Sequence, residues 1–321
     1  MKKFWRIFLQ VAVIVVASLV ALVLLLVGGL NLLKFAIYAD YYDAKTDICE
    51  NPGLGDGLVC QGICAYETAD KIFVSGYMAD DSASRIYITD LEDNATYVTL
   101  TQNGEPFTGH VGGIATYEDR VYLADEGNVY ILSATALLGL ENGEALEIGE
   151  GIAVNNDASF VYADDNYLYV GEFHDGKHYF TEHPYDTADG TYYAIVERYT
   201  HDDLTVPDKV YSIRNKVQGI CFTPDGKVVM STSYGVADSV YYVYNEKDAT
   251  DSGKTFMGAP VYYLDNCVSV LRGPAMSEGM DYFDGRVITL TESASNKYIF
   301  GKFFYANKII GFDISRFPNE K

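Results

Sequence analysis

The chain has 321 residues, 49% of them hydrophobic and 21% charged, with 28 Tyr, 16 Phe and a single Trp, Trp5. That is enough apolar chain for a folded core, which excludes a disordered polypeptide. The formal charge of −22 opposes polyanions, so nucleic acid and anionic lipid are poor partners for the globular part.

Lys2, Lys3 and Arg6 precede an apolar run from Ile7 to Leu30, interrupted only by small residues and Gln10. About 24 residues of helix span the ~30 Å of a bilayer core. Basic residues ahead of the run, with Asp40 and Asp43 behind it, predict a cytoplasmic N-terminus. A cleaved signal peptide has a shorter apolar stretch, roughly 7–15 residues, followed by a small-x-small site. Here the run ends Gly28-Gly29-Leu30-Asn31. The sequence therefore predicts a cytoplasmic stub over 1–6, an uncleaved transmembrane signal anchor over 7–33, a juxtamembrane linker over 34–40 and an extracytoplasmic domain over 41–321. The protein is expected in the cell membrane as a single-pass chain.

The domain repeats one phrase. Its clearest copy runs from Val217 to Tyr234 and contains Gln218-Gly219-Ile220-Cys221-Phe222, then Pro224-Asp225-Gly226-Lys227, then Val228 to Ser233. It reads as a strand, a tight Asp-Gly turn and a second strand. Variants start at Gly62, Gly113, Ala158 and Gly279, about 45 to 61 residues apart. The rich use of Tyr and Phe agrees with β structure.

The first repeat predicts strands at 61–66, 72–77, 85–90 and 97–101, which is one propeller blade. The second predicts strands at 111–117, 120–125 and 128–132, then a short capped helix at 133–138 before Gly139. The third predicts 158–163, 167–173, 192–199 and 206–213, with a long polar insert at 174–191. The fourth continues its phrase with strands at 239–244 and 259–264. The fifth predicts 277–282, 287–291 and 308–313, with an insert at 292–307, and lacks room for a fourth strand. The expected fold is all-β, a five-bladed β-propeller preceded by one N-terminal transmembrane helix. Six blades would need one hidden in the inserts. The missing outer strand of the last blade is assigned to 41–48, which closes the ring.

In such a ring, the chain before each inner strand and the loop after each second strand share one face, at the channel mouth. Binding concentrates on loops carried by a rigid scaffold. The mouth residues of this chain are then Gln61, Tyr77, His110, Asp125, Asn156, Glu172, His174, Gln218, Tyr234, Glu278 and Glu292. Amides, carboxylates and aromatics in one ring suit a glycan, a peptide or protein partner, or a hard cation such as Ca²⁺. No cofactor is established by any motif.

The remaining motifs are weaker. Cys49 and Cys60 enclose a turn-rich loop and are the expected disulfide; Cys64 and Cys221 follow Gly-Ile in two repeats and read as buried apolar positions. Glu172 to His183 gathers three of the five histidines, but Asp175-Gly176 reads as a hairpin turn that sends His174 and His178 to opposite faces. Ser252-Gly253-Lys254-Thr255 has Asp248 where a phosphate loop needs its first Gly. Neither a Gly-x-Ser-x-Gly elbow nor a His-Glu-x-x-His pair is present.

The Gln-Gly-Ile and Pro-Asp-Gly-Lys phrases resemble the blade unit of NHL, gluconolactonase-like and streptogramin-lyase-like propellers, over most of 60–313. The resemblance implies a fold rather than an activity. A narrower likeness is to the plant-type glutaminyl cyclases, which are five-bladed. It rests on Gln61-Gly62-Ile63, Ser75-Gly76-Tyr77 and Ser82-Ala83-Ser84-Arg85, with Glu292-Ser293 as an echo. Val74 stands where that family has an acidic residue, and the domain has no tryptophan. The leading expectation is a binding module at the mouth. The alternative is an enzyme on the same face, a cyclase or a metal-dependent hydrolase or lyase.

Overall fold

The computed structural model describes residues 2–320. Lys2–Ile37 forms one helix of 36 residues, long and apolar enough to cross a membrane. It runs past the expected 7–33 segment at both ends. Nothing after Leu30 breaks it: Asn31 bonds back to the Val27 carbonyl at 3.0 Å, and Leu32, Leu33 and Phe35 are compatible with helix. The expected linker is therefore largely helical.

Residues Ala39–Ala44 form a second, short helix rather than the start of a strand. The spacing of Tyr38, Tyr41 and Ala44 explains this. Three residues apart, they share one helical face, and all three are buried. Tyr41 packs on Phe312 and Tyr241, and its ring fills the space beside Gly273.

Five antiparallel sheets follow. The first blade is Leu58–Tyr66, Lys71–Met78, Arg85–Thr89 and Ala95–Gln102; the second is Gly113–Tyr117, Arg120–Asp125, Asn128–Ser133 and the two-residue Ile152–Ala153. The third is Phe160–Ala163, Tyr167–Gly171, Ala194–Thr200 and Lys209–Ile213; the fourth is Val217–Phe222, Lys227–Thr232, Ser239–Asn245 and Cys267–Gly273. The fifth is Ser277–Phe283, Arg286–Thr291 and Lys308–Phe312, completed by Lys45–Glu50 from the N-terminal side. The inner strands pack in cyclic order, first to fifth and back to first. The fold is a five-bladed β-propeller.

The closing strand is thus Lys45–Glu50, not 41–48, and it pairs antiparallel with Lys308–Phe312. The outer strand of the fourth blade also differs from expectation. Ala259–Tyr263 pairs in parallel with Lys209–Ile213 and widens the third blade, with Thr250–Phe256 outside it. Ala259, Val261 and Tyr263 bury their shared face with Tyr185, Ile195 and Val210. The fourth blade is completed by Cys267–Gly273 instead, where Ser269, Leu271 and Gly273 alternate inward. The capped helix is Ala134–Leu138, with the Ser133 hydroxyl accepting from the Ala136 amide.

The core is divided into layers between blades. Phe73, Ile86, Ile114 and Leu123 fill the first seam. Tyr122, Val161, Leu168 and Tyr199 fill the second. Ile63, Val74, Ile288 and Leu290 fill the closing seam. Several buried tyrosines have paired hydroxyls, as when Tyr162 donates to the Phe222 carbonyl at 2.8 Å and Tyr211 to Glu246 at 2.6 Å, whereas the buried Tyr241 hydroxyl has no partner. This is where much of the tyrosine goes.

The expected Cys49–Cys60 bridge is not formed; all five cysteines are free thiols. Cys49 lies in the closing strand opposite Ile309, while the Cys60 thiol is held elsewhere, 3.2 Å from the Asn51 amide and 3.4 Å from the Thr291 carbonyl.

Candidate functional site

Three blades aim a side chain into the channel by the same device. Each inner strand carries a bulge at its mouth end. The register slips between Cys60 and Gly62, between Val217 and Gly219, and between Ser277 and Met280. Gln61, Gln218 and Glu278 lie in those slips. An extra residue in a strand turns its side chain out of the ladder, and here all three turn into one cavity. The glycine that follows is forced by crowding. A side chain at Gly62 would meet the Ile114 amide nitrogen at 2.6 Å, and one at Gly219 the Met280 amide nitrogen at 2.8 Å.

The cavity has a volume of about 790 Å³. It takes in Gln61, Tyr77, His110, Asp125, Gln218, Tyr234, Glu278 and Glu292, eight of the eleven mouth residues expected from the sequence. Its polar groups fall into short runs. His110 Nε2 lies 2.8 Å from Gln61 Oε1, and Gln61 Nε2 donates to Glu292 Oε2 at 3.1 Å. Burial, and then the Lys297 charge, lowers the His110 pKa to about 4, so the ring is neutral and its Nε2–H is the donor to Gln61. Gln218 reaches Glu278 at 3.4 Å. The Tyr77 hydroxyl accepts from Lys297 Nζ at 2.7 Å and lies 3.1 Å from the Tyr298 hydroxyl. Asp125 accepts from the Val111 amide at 2.7 Å and so fixes the loop that carries His110.

Two buried glutamates, Glu278 and Glu292, line this cavity. Burial is the main cause pushing both upward in pKa, and the neighbouring Glu292 pushes Glu278 further. Glu292 rises to about 8 even though Lys297, Gln61 and Tyr298 hold it down. At neutral pH the pair therefore retains protons that an exposed carboxylate would have lost.

Three expected residues lie elsewhere. Asn156 is spent on backbone, donating to the Val170 carbonyl and accepting from the Ala158 amide, each at 2.8 Å. Glu172 accepts from His183 at 2.6 Å and from the Ile195 amide at 3.0 Å, away from the cavity. His174 stacks on Tyr193 at 4.8 Å and pairs with Thr181. The loop after Glu172 is not the expected two-residue hairpin. Asp175 collects the amides of Lys177, His178 and Tyr179, and this sends His178 to the Tyr234 hydroxyl at 2.7 Å. Among the described residues no group of three His, Cys, Asp or Glu side chains is arranged to hold a metal ion. Glu278, Glu292 and Asp125, the acids of the cavity expected to serve a cation such as Ca²⁺, each accept from a different donor.

Sequence reasoning missed Phe173, Tyr179, Lys297 and Tyr298, which wall the cavity. The signal for the last two was an insert whose aromatic run is too dense for a plain surface loop.

No family model and no curated protein matches the chain. Among solved structures it is similar to a nidogen/laminin complex, with 10% identity, 73% of each chain covered and a TM-score of 0.40. It is similar to the PQQ-bound aldose sugar dehydrogenase from Streptomyces coelicolor, with 13% identity, 77% of this chain and 76% of that one covered, and a TM-score of 0.40. It is also similar to the WD40 β-propeller domain of Doa1, with 9% identity, 80% of each chain covered and a TM-score of 0.39. The sheet order described above, not these likenesses, carries the assignment of the fold.

Proposed function

We propose that this chain is a membrane-anchored, extracytoplasmic propeller that binds a glycan, peptide or protein ligand in the mouth cavity. The observation that carries the reading is the convergence of the three bulge residues Gln61, Gln218 and Glu278 on one space walled by aromatics. Amide and carboxyl groups supply directional hydrogen bonds, and Tyr77, Phe173, Tyr179, Tyr234 and Tyr298 supply flat apolar faces. The charge pattern around the N-terminal helix supports the outward orientation. The shared Gln-Gly and Asp-Gly-Lys phrases support kinship with the NHL and gluconolactonase-like propellers at the level of the repeat unit. The test is thermal stabilisation of the purified chain across a panel of glycans and peptides, repeated with the pair Gln218→Ala and Glu278→Ala. A ligand whose effect survives that pair binds somewhere else. Protease added to intact cells tests the orientation, because an outward propeller is digested and an inward one is spared.

A second reading is favoured by the protonated glutamates. A carboxyl group that keeps its proton at neutral pH in a cleft is equipped for general acid catalysis, as the cyclase alternative requires. Release of ammonia from peptides with N-terminal Gln, lost in Glu292→Gln, would support it.

A further inference from the structure

The N-terminal helix leaves the propeller from the mouth rim. Tyr38, just past its end, donates to Asp238 in the mouth loop of the fourth blade at 2.7 Å, and its ring meets Phe304. From there the short helix descends, and the closing strand climbs back: Lys45 pairs with Phe312 at the far end, Glu50 with Lys308 at the mouth. The last turns of the long helix are clamped to the fifth-blade insert. The Asn31 amide donates to the Lys302 carbonyl at 2.9 Å and accepts from the Tyr305 amide at 3.1 Å; Lys34 donates to the Tyr305 carbonyl at 2.6 Å.

We propose that the mouth face lies against the bilayer crossed by this helix, with residues 299–305 seated in the headgroup layer. The inference rests on the anchoring proposed above. The helical run from Ile7 to Leu30 measures about 36 Å, against a hydrocarbon core of ~30 Å. Its end, Asn31, is therefore at interfacial depth, and the loop bonded to Asn31 is held there with it. That loop has the composition of an interfacial segment. Ile299 and Phe300 are 79% and 67% exposed, and Phe300 stacks on Phe303. Lys302 lies in it and Lys297 just before it, and no acidic residue occurs between Ser293 and Phe312, in a chain whose net charge is −22; Lys308 beyond it is paired with Glu50. Aromatics flanked by lysines are what a headgroup layer accommodates, so this patch departs from the repulsion expected of the domain as a whole. Phe180 and Val236, also exposed, rise from the mouth loops of the third and fourth blades. On the opposite face Leu91, Val206 and Met257 are single exposed residues on separate turns. Lys297 and Tyr298, next in sequence to Ile299, line the cavity. The cavity thus opens beside the headgroups, and its ligand is borne on the membrane or held close to it.

The full chain with Trp5→Phe, reconstituted in phosphatidylethanolamine/phosphatidylglycerol vesicles, tests this with one tryptophan at a time. Phe300→Trp places the reporter in the insert; Lys247→Trp places it on the far face. Brominated lipids are expected to remove about half or more of the Phe300→Trp emission, which should also be blue-shifted, and to leave Lys247→Trp unchanged. If alkaline carbonate fails to strip the chain and neither reporter is quenched, or only Lys247→Trp is, the proposed orientation is wrong while the anchor stands. If carbonate strips the chain, the anchor itself fails, and the orientation with it.

Discussion

Gln61 donates to Glu292 at 3.1 Å across the seam where the first blade meets the last. The contact joins the bulge of one inner strand to the loop leaving the neighbouring second strand, at the point where the ring closes. Gln61→Leu removes the donor while keeping bulk, and leaves Glu292 buried without it. We expect a loss of about 1–3 kcal/mol in denaturant unfolding. The same change also frees His110, so ligand binding at the mouth should weaken with it. An unchanged unfolding midpoint would show that the seam does not depend on this bond.

The glutamate pair makes stability depend on pH in a definite direction. Glu292 is raised from 4.5 to about 8, and Glu278 is raised as well. Both bind protons more tightly in the folded chain than in the unfolded one. Their contribution is complete below about pH 4.5 and is lost as pH rises through about 8. Glu292→Gln cannot ionise, so it should gain ~1–3 kcal/mol on the wild type between pH 5 and pH 8. Parallel melting curves for the two proteins across that range would count against a buried, proton-holding pair.

Close backbone contact between inner strands sets a second constraint. Gly219 faces the backbone of Gly279 and Met280 at 2.8–3.0 Å from where a side chain would start. Gly219→Ala should cost about 1–3 kcal/mol through overpacking. Gly55→Ala, where nothing lies within 4 Å, is the control and should change stability by less than ~0.5 kcal/mol.

Particular residues show how far the sequence could be read. The Asp225-Gly226 and Asp284-Gly285 turns and the alternation around them are local signals, and they located the inner hairpins of the blades. Gln61, Gln218 and Glu278 are legible as mouth residues because each stands at the entry to an inner strand, just before a repeated glycine; the bulges that turn them inward are not, because they depend on the partner strand's register. Ala259–Tyr263 and Cys267–Gly273 were not separable: both alternate like outer strands, and only the partner surface of the third blade decides between them. Asn156, Glu172 and His174 were placed at the mouth by position in the repeat. Their side chains instead bond nearby backbone amides and carbonyls, and in Glu172 also the His183 ring, contacts that the repeat pattern does not carry.

The cysteines give a direct chemical test. Thiol titration of the unfolded chain without reductant should find five reactive groups, and reductant should leave the melting temperature unchanged. Three thiols, with a melting temperature that falls on reduction, would restore the Cys49–Cys60 bridge.

Asn31 provides the last test, because its side chain holds the long N-terminal helix to the insert through two backbone groups. Asn31→Leu keeps the helix apolar, so membrane insertion is expected to persist. What is lost is the acceptor for the Tyr305 amide and the donor to the Lys302 carbonyl. One such bond contributes about 0.5–1.5 kcal/mol, which corresponds to roughly 2- to 10-fold faster exchange of the Tyr305 amide hydrogen. Amides within Lys227–Thr232, deep in the fourth blade, should exchange as before. Unchanged exchange at Tyr305 would mean that the insert holds its shape without the helix, and the helix would then be a tether rather than part of the mouth. Faster exchange confined to the insert would make the last helical turns a structural wall of the candidate site, since Lys297 and Tyr298 belong to the same loop.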